Sequence, residues 1–295
     1  MKKTIFKGAG VALVTPMHAD GSINFEKLNE LVDFQIENGT DAIIACGTTG
    51  ESSTLDEKEH LSAIQAVIDR TAGRVPVIAG TGSNDTAFAV SMSKEAARLG
   101  ADGLLSVTPY YNKTSQAGLI AHFTAIADAC DCPLILYNVP SRTGTAFQSE
   151  TYAVLAKHPN IVGIKEANAN LSMMAKTMSL CGDDIDVYSG NDDEVLPCLS
   201  LGGAGVISVL SNVAPRVVHD MCYAYFEGRV EESRKLQIEY VDLISALFSD
   251  VNPIPVKEAM NLMGMEVGPC RLPLVPMSDS ARENLKNQLA KKGLL

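Results

Sequence analysis

The strongest constraint on this chain is a beat, repeated eight times, of a short wholly apolar segment followed by apolar residues at helical spacing. The apolar segments fall at 10–15, 42–45, 75–79, 103–107, 134–137, 161–165, 186–189 and 205–208. Between them, helices are predicted over 25–38 (Leu28, Leu31, Val32 and Ile36 on one face), 55–70, 85–99, 116–129, 150–157, 171–180 and 194–201. The 55–70 helix is expected to open at Thr54, and the 85–99 helix to stop at Gly100. The predicted strands are apolar throughout rather than alternating, which marks a parallel sheet covered on both faces. Eight such units with short links describe an α/β fold, a (β/α)8 TIM barrel. An open doubly wound sheet has the same rhythm but places a G-x-G-x-x-G turn after its first strand. Here Thr15-Pro16-Met17 follows instead. After about Pro215 the pattern is helical only, over 217–227, 230–248, 255–263 and 278–291. The expected organisation is a barrel over residues 1–228 and a C-terminal helical extension over 229–295.

Charge narrows the function. Lys and Arg number 24 against 35 Asp and Glu, a net charge of −11, which argues against a grip on nucleic acid phosphates. No apolar run reaches the roughly 18 residues of a membrane span. Residues 1–7 carry the charge of a signal peptide, but 10–16 are too short and interrupted to serve as its apolar region, so a cytoplasmic protein is expected. Seven scattered cysteines do not form a secreted disulfide framework, and Cys130-x-Cys132 lacks a second ligand pair for zinc. The five histidines are dispersed, with no metal-binding spacing. No cofactor is expected.

Barrel enzymes carry their chemistry at the C-terminal ends of their strands. Those ends read Gly47-Thr48-Thr49-Gly50-Glu51-Ser52, Gly80-Thr81-Gly82-Ser83-Asn84, Thr108-Pro109-Tyr110-Tyr111-Asn112, Tyr137-Asn138-Val139-Pro140-Ser141-Arg142-Thr143, Lys165-Glu166, Ser189-Gly190-Asn191-Asp192-Asp193 and Ser208. Lys165 ends an apolar strand, so its amine is expected near the barrel interior. Loss of hydration there favours a free amine, a nucleophile suited to a Schiff base with a carbonyl substrate. The alternative is an ion pair with a neighbour such as Glu166. Tyr137, Tyr111 and Thr48 are candidates for a proton relay. Backbone N–H groups at Thr48 and Thr49 are candidates to hold a small carboxylate, and Arg142 a second one, its planar fork matching the carboxylate. Gly202-Gly203-Ala204-Gly205 precedes its strand and is read as a tight turn, not a phosphate site.

Taken together, Gly47-Thr48-Thr49-Gly50-Glu51, Thr108-Pro109-Tyr110-Tyr111-Asn112, Tyr137-Asn138-Val139-Pro140 with Arg142-Thr143, Lys165-Glu166 and the late Asn252-Pro253-Ile254-Pro255-Val256-Lys257 resemble the dihydrodipicolinate synthase family from end to end. The resemblance implies condensation of pyruvate with L-aspartate 4-semialdehyde, without metal or organic cofactor, in a homotetramer built from tight dimers. It implies that Lys165 forms the imine and that Tyr137, Thr48 and Tyr111 relay protons, Tyr111 reaching the site from the neighbouring subunit. It further implies that Thr49 binds the pyruvate carboxylate, that the backbone at Gly190 and Ile207 lines the pocket, and that Arg142 receives the semialdehyde carboxylate. Sibling aldolases, N-acetylneuraminate lyase and keto-deoxy-sugar-acid aldolases, share the lysine and the tyrosine but usually carry Gly-Ser-Thr-Gly. A non-catalytic keto-acid-binding barrel would be favoured by loss of Lys165 or Tyr137, and both are present. In lysine-sensitive members of the family the inhibitor occupies a cleft matched here by Ser52, His60, Asn84 and Tyr110. Two positions depart from that pattern: Glu57 stands for a histidine and Phe88 for an acidic residue.

Overall fold

The computed structural model describes Lys2 and residues 4–295. Eight strands, β1 (Gly8–Ala12), β2 (Ala42–Ala45), β3 (Val77–Gly80), β4 (Gly103–Val107), β5 (Leu134–Asn138), β6 (Ile161–Glu166), β7 (Asp186–Ser189) and β8 (Gly205–Ser208), close into a parallel barrel in chain order. Around them run α1 (Phe25–Glu37), α2 (Glu57–Thr71), α3 (Thr86–Leu99), α4 (Gln116–Ala127), α5 (Pro140–Thr143), α6 (Ser149–Leu155), α7 (Leu171–Cys181), α8 (Val195–Ser200) and α9 (Pro215–Phe226). The chain continues through α10 (Val230–Leu247), α11 (Ile254–Leu262) and α12 (Asp279–Lys291). The architecture is the TIM barrel expected from the rhythm, with a helical C-terminal extension.

Three of the departures from the sequence reading have a clear physical reason. The first strand begins at Gly8 rather than residue 10 and ends at Ala12. Its register is set by closure against β8, where Gly8 pairs with Gly205. Gly205 has φ +153°, and a Cβ on it would lie 1.9 Å from the Gly8 carbonyl oxygen, so only glycine lets the first and last strands meet. The second helix is not capped by Thr54. Ser52–Thr54 forms a 3₁₀ turn, and Asp56 opens α2 through a reciprocal capping box with Glu59. The segment 140–143, read as a loop, is the one-turn helix α5, started by Pro140. The expected stop at Gly100 is found, with φ +99°.

Inside the barrel a compact cluster contains Ala12, Ile44, Ile78, Leu105, Ile135, Tyr137, Tyr188 and Ile207, contributed by seven of the strands. A second, larger core lies between strands and helices. It runs without a break into the extension, where Leu243, Leu247, Val256, Met260 and Leu285 share it with Leu31, Val32 and Ile164. The extension is therefore fused to the barrel rather than tethered to it. All seven cysteines are free, and among the described residues no group of His, Cys, Asp and Glu could hold a metal ion. No helix of the described residues is long and apolar enough to cross a membrane.

Candidate active site

Strand register builds the centre of the site. Tyr137 of β5 pairs with Lys165 of β6, which pairs with Tyr188 of β7, so three inward side chains stand side by side. Lys165 is 5% exposed, and its Nζ lies 4.4 Å from the centroid of the Tyr137 ring. That is cation–π distance. Tyr188 points its hydroxyl away, donating 2.7 Å to the Phe6 carbonyl.

Glu166 does not pair with Lys165. One residue further along a strand, its side chain faces the opposite way, into the layer between sheet and helices. There its carboxylate accepts from Tyr152 Oη at 2.9 Å, from Asn138 Nδ2 at 2.9 Å and from the Asn168 N–H at 3.0 Å. Burial nonetheless pushes its carboxyl up to about 7, opposed by these hydrogen bonds. A carboxyl raised from about 4.5 favours the folded state fully below that value, and the benefit is lost as pH rises through 7. The whole window corresponds to roughly 3 kcal/mol. Glu166→Gln should therefore flatten the decline of stability between pH 4.5 and 7, measured by denaturant unfolding at a series of pH values. An unchanged slope would show that Glu166 does not titrate there.

Asp192, beyond β7, is a second buried carboxylate. It accepts from Ser208 Oγ and from the N–H groups of Val209 and Leu210 at 3.0 and 2.9 Å. Burial pushes its carboxyl up, and the positive charge of Lys165 acts against that rise. The sequence placed Asp192 at a strand end but gave it no role.

The loop after β2 forms the next wall. Thr48 shares a small cavity with Gly47, Ser52, Gly82, Val107 and Tyr137. A Cβ on Gly80 in that wall would lie 2.3 Å from the Cys46 carbonyl oxygen, so the loops after β2 and β3 can touch only through glycine. Thr49 is buried, its Oγ1 accepting from Asn252 Nδ2 at 2.9 Å. Glu51, in the left-handed region at φ +56°, is anchored from the extension. Lys257 Nζ donates to its Oε1 at 2.8 Å and the Arg271 N–H to its Oε2 at 2.8 Å. Lys257 also donates to the carbonyls of Thr15 and Pro269, at 3.1 and 2.5 Å. Asn252 and Lys257 lie more than 200 residues from the loop they hold, a separation across which no periodicity or local spacing gives a signal.

Arg142 is exposed on α5, which Thr108 latches to β4 through a hydroxyl bond of 2.9 Å to Thr143. One Arg142 Nη2 donates 3.0 Å to the Asn252 carbonyl. Gly190 begins the turn after β7, its N–H donating 2.7 Å to Glu166 O, and Ile207 is fully buried in the barrel interior. Tyr111 is not at this site: it is 93% exposed, with φ +67°. The structure thus sets Lys165 against Tyr137, Tyr137 in one cavity with Thr48 and in one cluster with Ile207, Thr49 next to Thr48, Gly190 just past β7, and Arg142 and Tyr111 exposed.

The residues of the expected lysine cleft are spread over the loops after β2, β3 and β4 and the starts of α2 and α3. Asn84 Nδ2 donates 3.1 Å to the Tyr110 carbonyl, and Phe88 is 39% exposed on the first turn of α3. His60 is buried, with Nε2 2.7 Å from the Gly80 carbonyl, and burial pushes its imidazole down. Glu57 is exposed at the start of α2.

Comparison with known proteins agrees with this geometry. A family model described as the dihydrodipicolinate synthetase family matches residues 5–292. A relative from Thermoanaerobacter sp. strain X514, named 4-hydroxy-tetrahydrodipicolinate synthase, is 56% identical over 292 residues, covering 99% of this chain and 98% of its own. Among solved structures, the lysine-bound enzyme of Cyanidioschyzon merolae is 44% identical at a TM-score of 0.97, covering 99% of this chain and 100% of its own. The chloride-inhibited dihydrodipicolinate synthase of Acinetobacter baumannii, complexed with pyruvate, is 43% identical at a TM-score of 0.97, with the same coverage. With the matched fold, the strand-end lysine and the full-length coverage, the chain belongs to the dihydrodipicolinate synthetase family.

Proposed function

We propose that this chain acts as a 4-hydroxy-tetrahydrodipicolinate synthase, joining pyruvate to L-aspartate 4-semialdehyde in diaminopimelate and lysine biosynthesis. The observation that carries the reading is a buried lysine at a strand end, Lys165, against the Tyr137 ring, in a chain whose full-length relatives bear that name. Lys165 Nζ attacks the keto carbon of pyruvate and the carbinolamine loses water to leave an iminium. Loss of a methyl proton gives the enamine, which attacks the aldehyde carbon of the second substrate. These steps call for no metal or organic cofactor. Tyr137 and Thr48, which share one cavity, move the protons. Thr49 binds the pyruvate carboxylate, the backbone at Gly190 and Ile207 lines the pocket, and Arg142 takes the semialdehyde carboxylate.

Tyr111 completes the relay from a neighbouring subunit, and the working unit is a cytoplasmic homotetramer of tight dimers. The support is the exposure of Tyr111 on a positive-φ backbone, which costs about 1–2 kcal/mol and needs a compensating contact. Phe88 and Tyr110 are exposed with it, and a separate apolar set, Ile238 and Val241 on α10 and Phe248 just after it, is also exposed. Residues 1–228 serve as the catalytic barrel and 229–295 as the extension that braces it. The test is turnover: purified protein given both substrates should consume them. Cleavage of N-acetylneuraminate instead would assign it to a sibling aldolase.

The reading also predicts weak feedback inhibition by L-lysine. Where an acidic side chain would hold the ligand's ammonium stands Phe88, and loss of a charge-assisted bond costs about 1.5–3 kcal/mol. A cation–π contact to the phenyl ring returns about 0.5–2 kcal/mol. Initial rates across a lysine titration should give half-inhibition above about 1 mM. Submillimolar inhibition would refute this, and restored sensitivity in Phe88→Glu would support the cause.

A further inference from the structure

The link between α10 and α11 inserts one side chain into the mouth of the barrel. Asn252 is 7% exposed, and it touches two of the residues assigned to the two substrate carboxylates. Its Nδ2 donates 2.9 Å to Thr49 Oγ1, and its backbone carbonyl accepts from Arg142 Nη2 at 3.0 Å. Among the described residues its Oδ1 is buried and has no hydrogen-bond partner. A buried amide kept for structure has both ends paired. This one makes a single side-chain hydrogen bond, and it is to the site threonine.

We propose that Asn252 is a positioning residue that turns the Thr49 hydroxyl into a donor toward the pyruvate carboxylate and steadies Arg142 for the second carboxylate. The inference rests on the functional reading above. A hydroxyl has one proton to give and lone pairs to receive with. Because the Asn252 amide occupies a lone pair of Thr49 Oγ1, the hydroxyl proton is directed away from the amide and is free for an anion. The contact to Arg142 runs through the main chain instead, so it survives a change of side chain. Asn252 thereby couples the β2 loop, α5 and the extension at one point, across 203 and 110 residues of sequence.

That division of labour gives the test. Steady-state kinetics and borohydride trapping with pyruvate are measured on the full-length wild type, Asn252→Ala, Asn252→Asp, Thr49→Val and the Asn252→Ala/Thr49→Val double variant. Asn252→Asp keeps the shape and reverses the polarity: its carboxylate takes the hydroxyl proton and repels the substrate. The pyruvate KM of Asn252→Asp should rise roughly 10- to 100-fold, and that of Asn252→Ala roughly 3- to 10-fold. In Asn252→Ala the semialdehyde KM should stay within about threefold, because the carbonyl contact to Arg142 remains. The double variant should have the pyruvate KM of Thr49→Val alone, since Asn252 acts through that hydroxyl. If Asn252→Ala does not fold, Asn252→Asp carries the comparison. An unchanged pyruvate KM in the Asn252 variants or in Thr49→Val, or additive effects in the double variant, would overturn the proposal. Wild type that takes label at Lys165 while those outcomes occur leaves the functional reading standing and removes only the inference. Wild type without label at Lys165 removes both.

Discussion

Borohydride added with pyruvate will attach a reduced pyruvyl group to Lys165 and inactivate the enzyme, and Lys165→Arg will be folded yet lose on the order of 10³-fold or more in turnover. Among the described residues only Lys165 and Lys257 are deeply buried lysines. Lys257 donates to Glu51, to the Thr15 carbonyl and to the Pro269 carbonyl, so all three ammonium protons are engaged. Lys165 has no ion pair or hydrogen bond of that kind among the described residues, and its Nζ lies over the Tyr137 ring. Arginine at 165 keeps the positive charge and the long side chain, but guanidinium does not form the imine. Peptide mapping that found the label on Lys257 or another lysine would end the mechanism.

Lys257→Met should produce the largest loss of stability. It leaves Glu51 buried with its countercharge gone: the side chains of the pair are each 2% exposed and 2.8 Å apart. Removing one member of a buried pair costs about 3–5 kcal/mol. In a chain of this size the corresponding fall in Tm is roughly 5–8 °C. Pairing Lys257→Met with Glu51→Gln should recover part of it, because the second change removes the stranded charge. Calorimetry or denaturant unfolding of the two variants decides it. A loss below about 1 kcal/mol in the single variant would mean that water reaches the pair. Turnover should fall with stability, since Glu51 anchors the loop that carries Thr48 and Thr49.

Sequence patterning carried the barrel because the features that set it are local. Apolar runs such as Ile161–Ile164 and stops such as Gly100 can be read a few residues at a time, and four of the eight strands have the expected limits at 42–45, 103–107, 186–189 and 205–208. The first strand was placed late because its true start is glycine-rich, and glycine usually argues against a strand. Gly8 belongs there because of Gly205, 197 residues away in sequence and adjacent in space. The same distinction divides the site. Lys165, Tyr137 and Thr48 lie at strand ends and were visible as such. Asn252 and Lys257, which brace the loop carrying Thr48, depend on the return of the extension. Glu166 shows the converse: adjacency to Lys165 in sequence suggested an ion pair, and the strand pleat sends the two side chains to opposite faces.

The Glu51–Lys257 anchor has a consequence for how the molecule is made. On the ribosome Glu51 emerges 206 residues before its partner, an interval of roughly 10–40 s at about 5–20 residues per second. Through that time the loop after β2 cannot bury its carboxylate without leaving it unpaired, so it has reason to stay open while the strands behind it assemble. The loop locks only when the nascent chain has passed residue 257. A ribosome that stalls between residues 165 and 257 therefore releases a product that carries Lys165 but not the anchor of the loop beside it. Completion of translation and completion of the site become nearly the same event.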